Sequence, residues 1–333
     1  MTEDKAKDDT LKGLSLTLIV AVIAYILGSN YEIIGGPVFA IILGMLYSNI
    51  WVLKEKYGPG VNFAAKKILQ WSIIVLGASL SVQQVWRTGR DSVSVMLITL
   101  ITAFIVALVL GRFLNVSPNL TSLIGVGTAI CGGSAIAAIS PIIKAKDDEI
   151  AYSVSTIFFF NIIAVLIFPS LGHLMGLSAS AFGLWAGTAI NDTSSVVAAG
   201  YAFSKAAGDY ATVVKLTRTT MIIPIALIFA VIGAAGRKGS GVKVPWKQVF
   251  PWFIIWFLAA SMLNTFGIIP AKTVPFAHKL AKFMIVTALA AVGLKADFRK
   301  MLSTGIKPML LGMIVWFSVA VTSILVQLIL GKI

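Results

Sequence analysis

Long apolar runs, separated by short polar joints, recur along this chain from residue 13 to its end. They occupy about 13–29, 36–50, 68–85, 92–114, 120–143, 150–171, 179–205, 210–235, 249–269, 280–294 and 308–330. Most are close to the roughly 20 residues that a helix needs to cross the hydrocarbon core of a bilayer. None shows the strict alternation, over about ten positions, that marks the strands of a membrane β-barrel. The pattern predicts an all-α polytopic membrane protein with about eleven hydrophobic segments.

Two of the runs differ from the rest. Gly127-Thr128-Ala129-Ile130-Cys131-Gly132-Gly133-Ser134 lies in 120–143, and Gly187-Thr188-Ala189-Ile190-Asn191-Asp192-Thr193-Ser194 repeats it in 179–205, at an offset of 60 residues. Both copies share Gly-Thr-Ala-Ile, a serine four positions on, and alanine at 138 and 198. Glycine costs about 1 kcal/mol relative to alanine inside a helix, so the clustering predicts two interrupted helices. They would either cross the membrane as broken helices or turn back as re-entrant hairpins. Irregular backbone at membrane depth is tolerated where protein or a water-filled cavity satisfies it, and transporters use such places for substrate. A weaker echo relates Lys66, Gly77 and Gly89 to Lys282, Gly293 and Gly305. With the first pair of motifs it supports an expectation of inverted-repeat transporter architecture.

The motifs hold most of the candidate chemistry. Thr128, Cys131, Gly132, Gly133 and Ser134 in the first copy, and Thr188, Asn191, Thr193, Ser194 and Ser195 in the second, are candidate substrate-binding residues. Half-helix N-termini at the breaks would present backbone N–H groups to an anion. The bland alternative is close helix packing through small residues, which accounts for glycine and alanine but not for the repeated octad. Asp192 lies deep in an apolar stretch, where a carboxylate is costly unless paired or hydrated. It is a candidate proton or cation coupling site, and equally a cap for a helix beginning near Thr193. Lys215 and Arg218 are one helical step apart in 210–235. They would supply positive charge to an anion, pair with Asp192, or extend to the interface. A nucleophilic role for Cys131 has no histidine near it in sequence to support it.

Composition narrows the class. The chain is 58% hydrophobic and 12% charged, with a mean hydropathy of +0.94, well beyond what a soluble core requires. Its formal net charge of +14 is gathered in the joints, which marks membrane orientation rather than nucleic-acid binding. One cysteine excludes an internal disulfide, two histidines make a metal site improbable, and no nucleotide or cofactor fingerprint is present. The polar, acid-rich start predicts a cytoplasmic tail over 1–12 and a retained first anchor instead of a cleaved signal peptide. Residues 13–333 would then form one transmembrane domain. Basic residues in 54–67 and 236–247 predict exposed cytoplasmic loops there, the first leading into an amphipathic helix start, with the N-terminus inside. Lys272, Lys279 and Lys282 fall on the other side and conflict with that rule.

The residues 35–41 (Gly-Gly-Pro-Val-Phe-Ala-Ile), 127–138, 186–192 and 292–298 together resemble the YeiH-like (UPF0324) family of prokaryotic membrane proteins, which carries a sulfate-exporter label. The resemblance implies a secondary transporter related to inverted-repeat, elevator-type exchangers in the plasma (inner) membrane. Where many such relatives are expected to have histidine before the aspartate, this chain has Asn191, which leaves Asp192 as the coupling candidate. The expected partners are a small sulfate-like or organic anion, a coupling H+ or Na+, membrane lipid and further copies of the chain as a homo-oligomer, with no cofactor, metal or nucleic acid. An anion channel using the same residues, and an intramembrane enzyme using Cys131, are the alternatives.

Overall fold

The computed structural model describes residues 3–30, 35–51, 53, 55–235, 250–297, 299 and 305–333. Among them all regular structure is helical. Six helical stretches are long and apolar enough to cross a membrane: Asp8–Asn30, Val82–Phe113, Asp147–Leu174, Lys205–Ile232, Val274–Lys295 and Ile306–Ile329. Shorter apolar helices cover Gly35–Ile50, Gly133–Ile143 and Trp252–Thr265. The expected loop at 236–247 lies outside the described residues. The chain divides into two compact units, a division that hydropathy alone did not reveal.

The first unit comprises Met1–Arg87, Val197–Gly208 and Trp252–Phe298. Its helices are α1 (Glu3–Asn30), α2 (Gly35–Ile50), α3 (Gly58–Phe63) and α4 (Leu69–Gly77), followed later in the chain by α13 (Trp252–Thr265) and α14 (Val274–Lys295). Helix α1 begins at Glu3, so residues 3–12 are helical and continuous with the first apolar run. Helix α14 is the centre of the unit and packs on α1, α2 and α4. Its closest approach is to α2. A methyl group at Gly44 would sit 2.6 Å from the Ala290 oxygen, and one at Gly293 would sit 2.4 Å from the Ile41 oxygen. Ser48 and Asn49 of α2 then donate to the Ala296 carbonyl at 3.0 and 2.9 Å, closing the C-terminus of α14.

Within the expected loop and helix start at 54–67, residues 58–68 are helical. They form α3 and a π-helical turn, Ala64–Ile68, leading directly into α4. Val61, Ala64 and Ala65 are buried against Ala291 and Leu294 of α14. Pro59 starts the helix where a missing N–H is harmless. Gly60 lets α3 touch α1, since a Cβ there would lie 2.1 Å from the Thr10 oxygen. The run at 68–85 also divides. Helix α4 stops at Gly77, and Ser81 and Gln84 form a reciprocal cap, with Gln84 N donating to Ser81 Oγ at 3.2 Å and Ser81 N to Gln84 Oε1 at 3.0 Å. That cap starts α5 (Val82–Phe113).

The second unit comprises Thr88–Val196, Asp209–Pro251 and Arg299–Ile333. After α5 come α6 (Pro118–Ala129), α7 (Gly133–Ile143), α8 (Asp147–Leu174), α9 (Ala179–Ala189), α10 (Thr193–Phe203), α11 (Lys205–Thr219), α12 (Ile222–Ala235) and finally α15 (Ile306–Ile329), with Val197–Gly208 of α10 and α11 counted in the first unit. Helix α15 packs on α6, α8 and α9, and α7 packs on α8 and α12. Trp185 of α9 stacks on Phe168 of α8, with centroids 4.1 Å apart, and donates to the Ala320 carbonyl of α15 at 3.1 Å. Pro224 accounts for the turn at Thr220–Met221 between α11 and α12, because it has no N–H to continue the ladder.

Candidate functional site

Both Gly-Thr-Ala-Ile motifs end a helix, as their composition predicts. In the first, α6 stops at Ala129, the backbone leaves helical geometry at Ile130, and α7 starts at Gly133. Gly132 there has φ +66°, a conformation that strains any residue with a Cβ. In the second, α9 stops at Ala189, Ile190 is extended, and α10 starts at Thr193. The two breaks meet: a Cβ on Gly132 would be 3.4 Å from Cβ of Asp192. Each half-helix is 11 or 12 residues long, roughly 17 Å at the helical rise and so about half a bilayer core.

A helix that ends inside protein leaves its last carbonyl oxygens without intrahelical donors. Here α11 supplies them. Arg218 Nε donates to the Ala129 oxygen and Nη2 to the Thr128 oxygen, each at 2.6 Å, while Nη1 donates to the Thr188 oxygen. Lys215 Nζ donates to the Ile130 oxygen at 2.7 Å and the Ile190 oxygen at 3.0 Å. Each basic side chain therefore bridges equivalent positions of the two copies, 128 with 188 and 130 with 190. Basic groups are also favoured at helix C-termini by the aligned peptide dipoles. Both side chains are fully buried. Helix α11 comes close enough because Gly187 leaves space, since a Cβ there would lie 2.6 Å from Cγ1 of Val214.

Asp192 serves the opposite polarity. Its Oδ2 accepts from the Ser194 amide at 3.0 Å and from the Ser194 hydroxyl, which caps the N-terminus of α10. Its own amide and that of Asn191 both donate to Oδ1 of Asn161 at 3.2 Å. Asn161 comes from the middle of α8 and was not among the candidates from sequence. Its signal was there to read, as a lone amide within the apolar run 150–171. Ser323 of α15 was also missed; its hydroxyl is 2.7 Å from that of Thr188.

The remaining candidates separate by access. Thr128, Thr188, Asn191, Ser194 and Ser195 are buried, as are Thr193, Cys131 and Gly132. Gly133 and Asp192 are partly open, and Ser134 is exposed. The hydroxyl run after Asp192 is thus buried, and the accessible part of the motif pair is the start of α7 beside Asp192. Lys215 and Arg218 form no ion pair with Asp192 among the described residues, and neither extends to an interface. Among the described residues, four buried polar atoms around the breaks have no hydrogen-bond partner: Thr128 Oγ1, Asn161 Nδ2, and Nδ2 and Oδ1 of Asn191.

The family described as "Conserved hypothetical protein 698" matches residues 12–312 of the chain. A "UPF0324 membrane protein" of Clostridium tetani is 43% identical over 96% of this chain and 97% of its own length. The chain belongs to the UPF0324 family of membrane proteins. Another UPF0324 relative, from Fusobacterium nucleatum, is 40% identical over 97% of this chain and 99% of its own length. A third, from Streptococcus pyogenes, is 43% identical over 96% and 97%. The breaks, the basic residues that hold them and Asn161 all lie inside the matched span of this UPF0324 protein.

Proposed function

We propose that this UPF0324 protein is a secondary active transporter of a small anion, sulfate-like or organic, working by alternating access in the plasma membrane with its N-terminus inside. The observation that carries the reading is the meeting of two helix breaks at Gly132 and Asp192 inside one packed unit. Broken backbone of this kind, satisfied by buried side chains, is how transporters build midplane sites. The start of α7, with Gly133 partly open and Ser134 exposed, would face the anion with its N–H groups, and Asp192 with Asn191 would carry the coupling H+ or Na+. The unpartnered amide of Asn191 and hydroxyl of Thr128 favour a ligand there. Arg218 and Lys215 enter this mechanism as the groups that hold the breaks together, since their donors are directed to backbone carbonyls.

The two motifs belong to an inverted-repeat design in which one bundle moves against the other, as in elevator-type carriers, and no nucleotide, cofactor or metal is required. Cys131 is a packing residue in this scheme. Reconstituted protein should show saturable anion uptake that is stimulated by counter-anion inside the vesicle. Flux that rises linearly with driving force, without saturation or exchange, would point to a channel and reject the carrier.

A further inference from the structure

Two of the three lysines that conflict with the positive-inside pattern, Lys279 and Lys282, gather at one place. In the first unit, Lys279 and Lys282 of α14 and Lys205 at the start of α11 line a cleft of about 350 Å3 together with His278, Tyr25 and Tyr201. Residues 275, 278, 279 and 282 of α14 are spaced three or four apart, so one face of the helix turns towards the cleft. All three lysines are exposed, whereas His278 and Tyr201 are buried at its floor. The floor is ordered: the Tyr201 and His278 rings meet edge-on at 6.0 Å, and Ser79 Oγ is 3.4 Å from His278 Nδ1. No described carboxylate pairs with Lys205, Lys279 or Lys282. Three unneutralised ammonium groups that converge on one concavity repel each other, and their gathering needs an anion to offset it.

The surroundings indicate which anion. Phe276 and Leu280, one position round α14 from the cleft-lining residues, are 68% and 40% exposed, and Ile26 beside Tyr25 is 54% exposed. An apolar rim next to an ammonium cluster and a tyrosine is the arrangement expected where a helix leaves the hydrocarbon for the headgroup layer. The cluster lies at the opposite end of α14 from Lys295, and Lys66 and Lys67 belong to the turn packed near that other end. It therefore does not contribute to the basic bias that orients the chain.

We propose that this cleft is a binding site for a phosphate group, held by Lys205, Lys279 and Lys282, with the headgroup of an anionic phospholipid or a free phosphate as its source. The site is separate from the helix breaks, and its test does not use transport. Native mass spectrometry of the full chain, titrated with phosphatidylglycerol, would read the lipid arm, and inorganic phosphate titrated into lipid-stripped protein by calorimetry would read the other. Each surface lysine is worth about fivefold in affinity, so Lys279→Gln with Lys282→Gln should weaken the responsible arm roughly tenfold or more. The double arginine variant should keep that binding, and Lys67→Gln should leave it unchanged. Loss in the phosphatidylglycerol arm identifies a lipid site, and loss in the phosphate arm alone identifies a soluble ligand. If the glutamine and arginine variants both match the wild type in both arms, the site does not exist.

Discussion

At the scale of single residues, the geometry separates two roles that the sequence left mixed. Arg218 spends three donors on carbonyls of two helix ends, so Arg218→Met should strip several buried acceptors at once. At about 1–3 kcal/mol for each unpaired group, the variant should lose about 3 kcal/mol or more, read as a lower unfolding midpoint in detergent. Arg218→Lys should recover only part of that, since one ammonium cannot reproduce the planar fork. Asp192→Asn is the contrasting case. Asparagine caps helices about as well as aspartate, so stability should change by less than about 1 kcal/mol while coupled uptake in proteoliposomes is lost. Uptake and coupling equal to the wild type would remove Asp192 from the mechanism. Asp192 was legible because a carboxylate in an apolar run announces itself. The partners of Arg218 were not, because backbone carbonyls carry no residue signature, and Asn161 acts through an oxygen aimed at a segment 30 residues away.

At the scale of helices, the breaks were legible because glycine and hydroxyl residues repeat at a fixed offset. The segment after α2 was legible as a polar joint leading into an amphipathic helix, but not in how deeply it packs. Hydropathy weighs the lysines at 66 and 67, which are exposed, more heavily than the small buried face of Val61, Ala64 and Ala65 that decides its fate. The same principle governs the contact between α2 and α14, where two glycines bring backbones together. Gly293→Ala should force the helices apart and cost about 1–3 kcal/mol, as overpacking does. Gly58→Ala, where an added methyl meets nothing within 4 Å, should be neutral within about 0.5 kcal/mol. Parallel thermal denaturation of the two variants checks both values.

At the scale of the whole molecule, helix α14 supplies a ruler. Its 22 residues span about 33 Å, enough to cross a bilayer core, with Lys279 near one end. Lys67 belongs to the turn packed on the other end, beside Ala291 and Leu294. A membrane-impermeant maleimide applied to intact cells should therefore label Lys279→Cys but not Lys67→Cys, in a background where buried Cys131 is replaced by alanine. Labelling of both, or the reverse order, would overturn the orientation. The two-unit division needed long-range contacts and could not be read from a one-dimensional pattern.

One guanidinium touches Thr128 of the first copy and Thr188 of the second. With Lys215 joining 130 to 190 in the same way, two keystones close both arches, and neither arch can be withdrawn without disturbing the other. The junction itself should therefore behave as one rigid piece. Distances between the two breaks should stay fixed even where the helices around them shift.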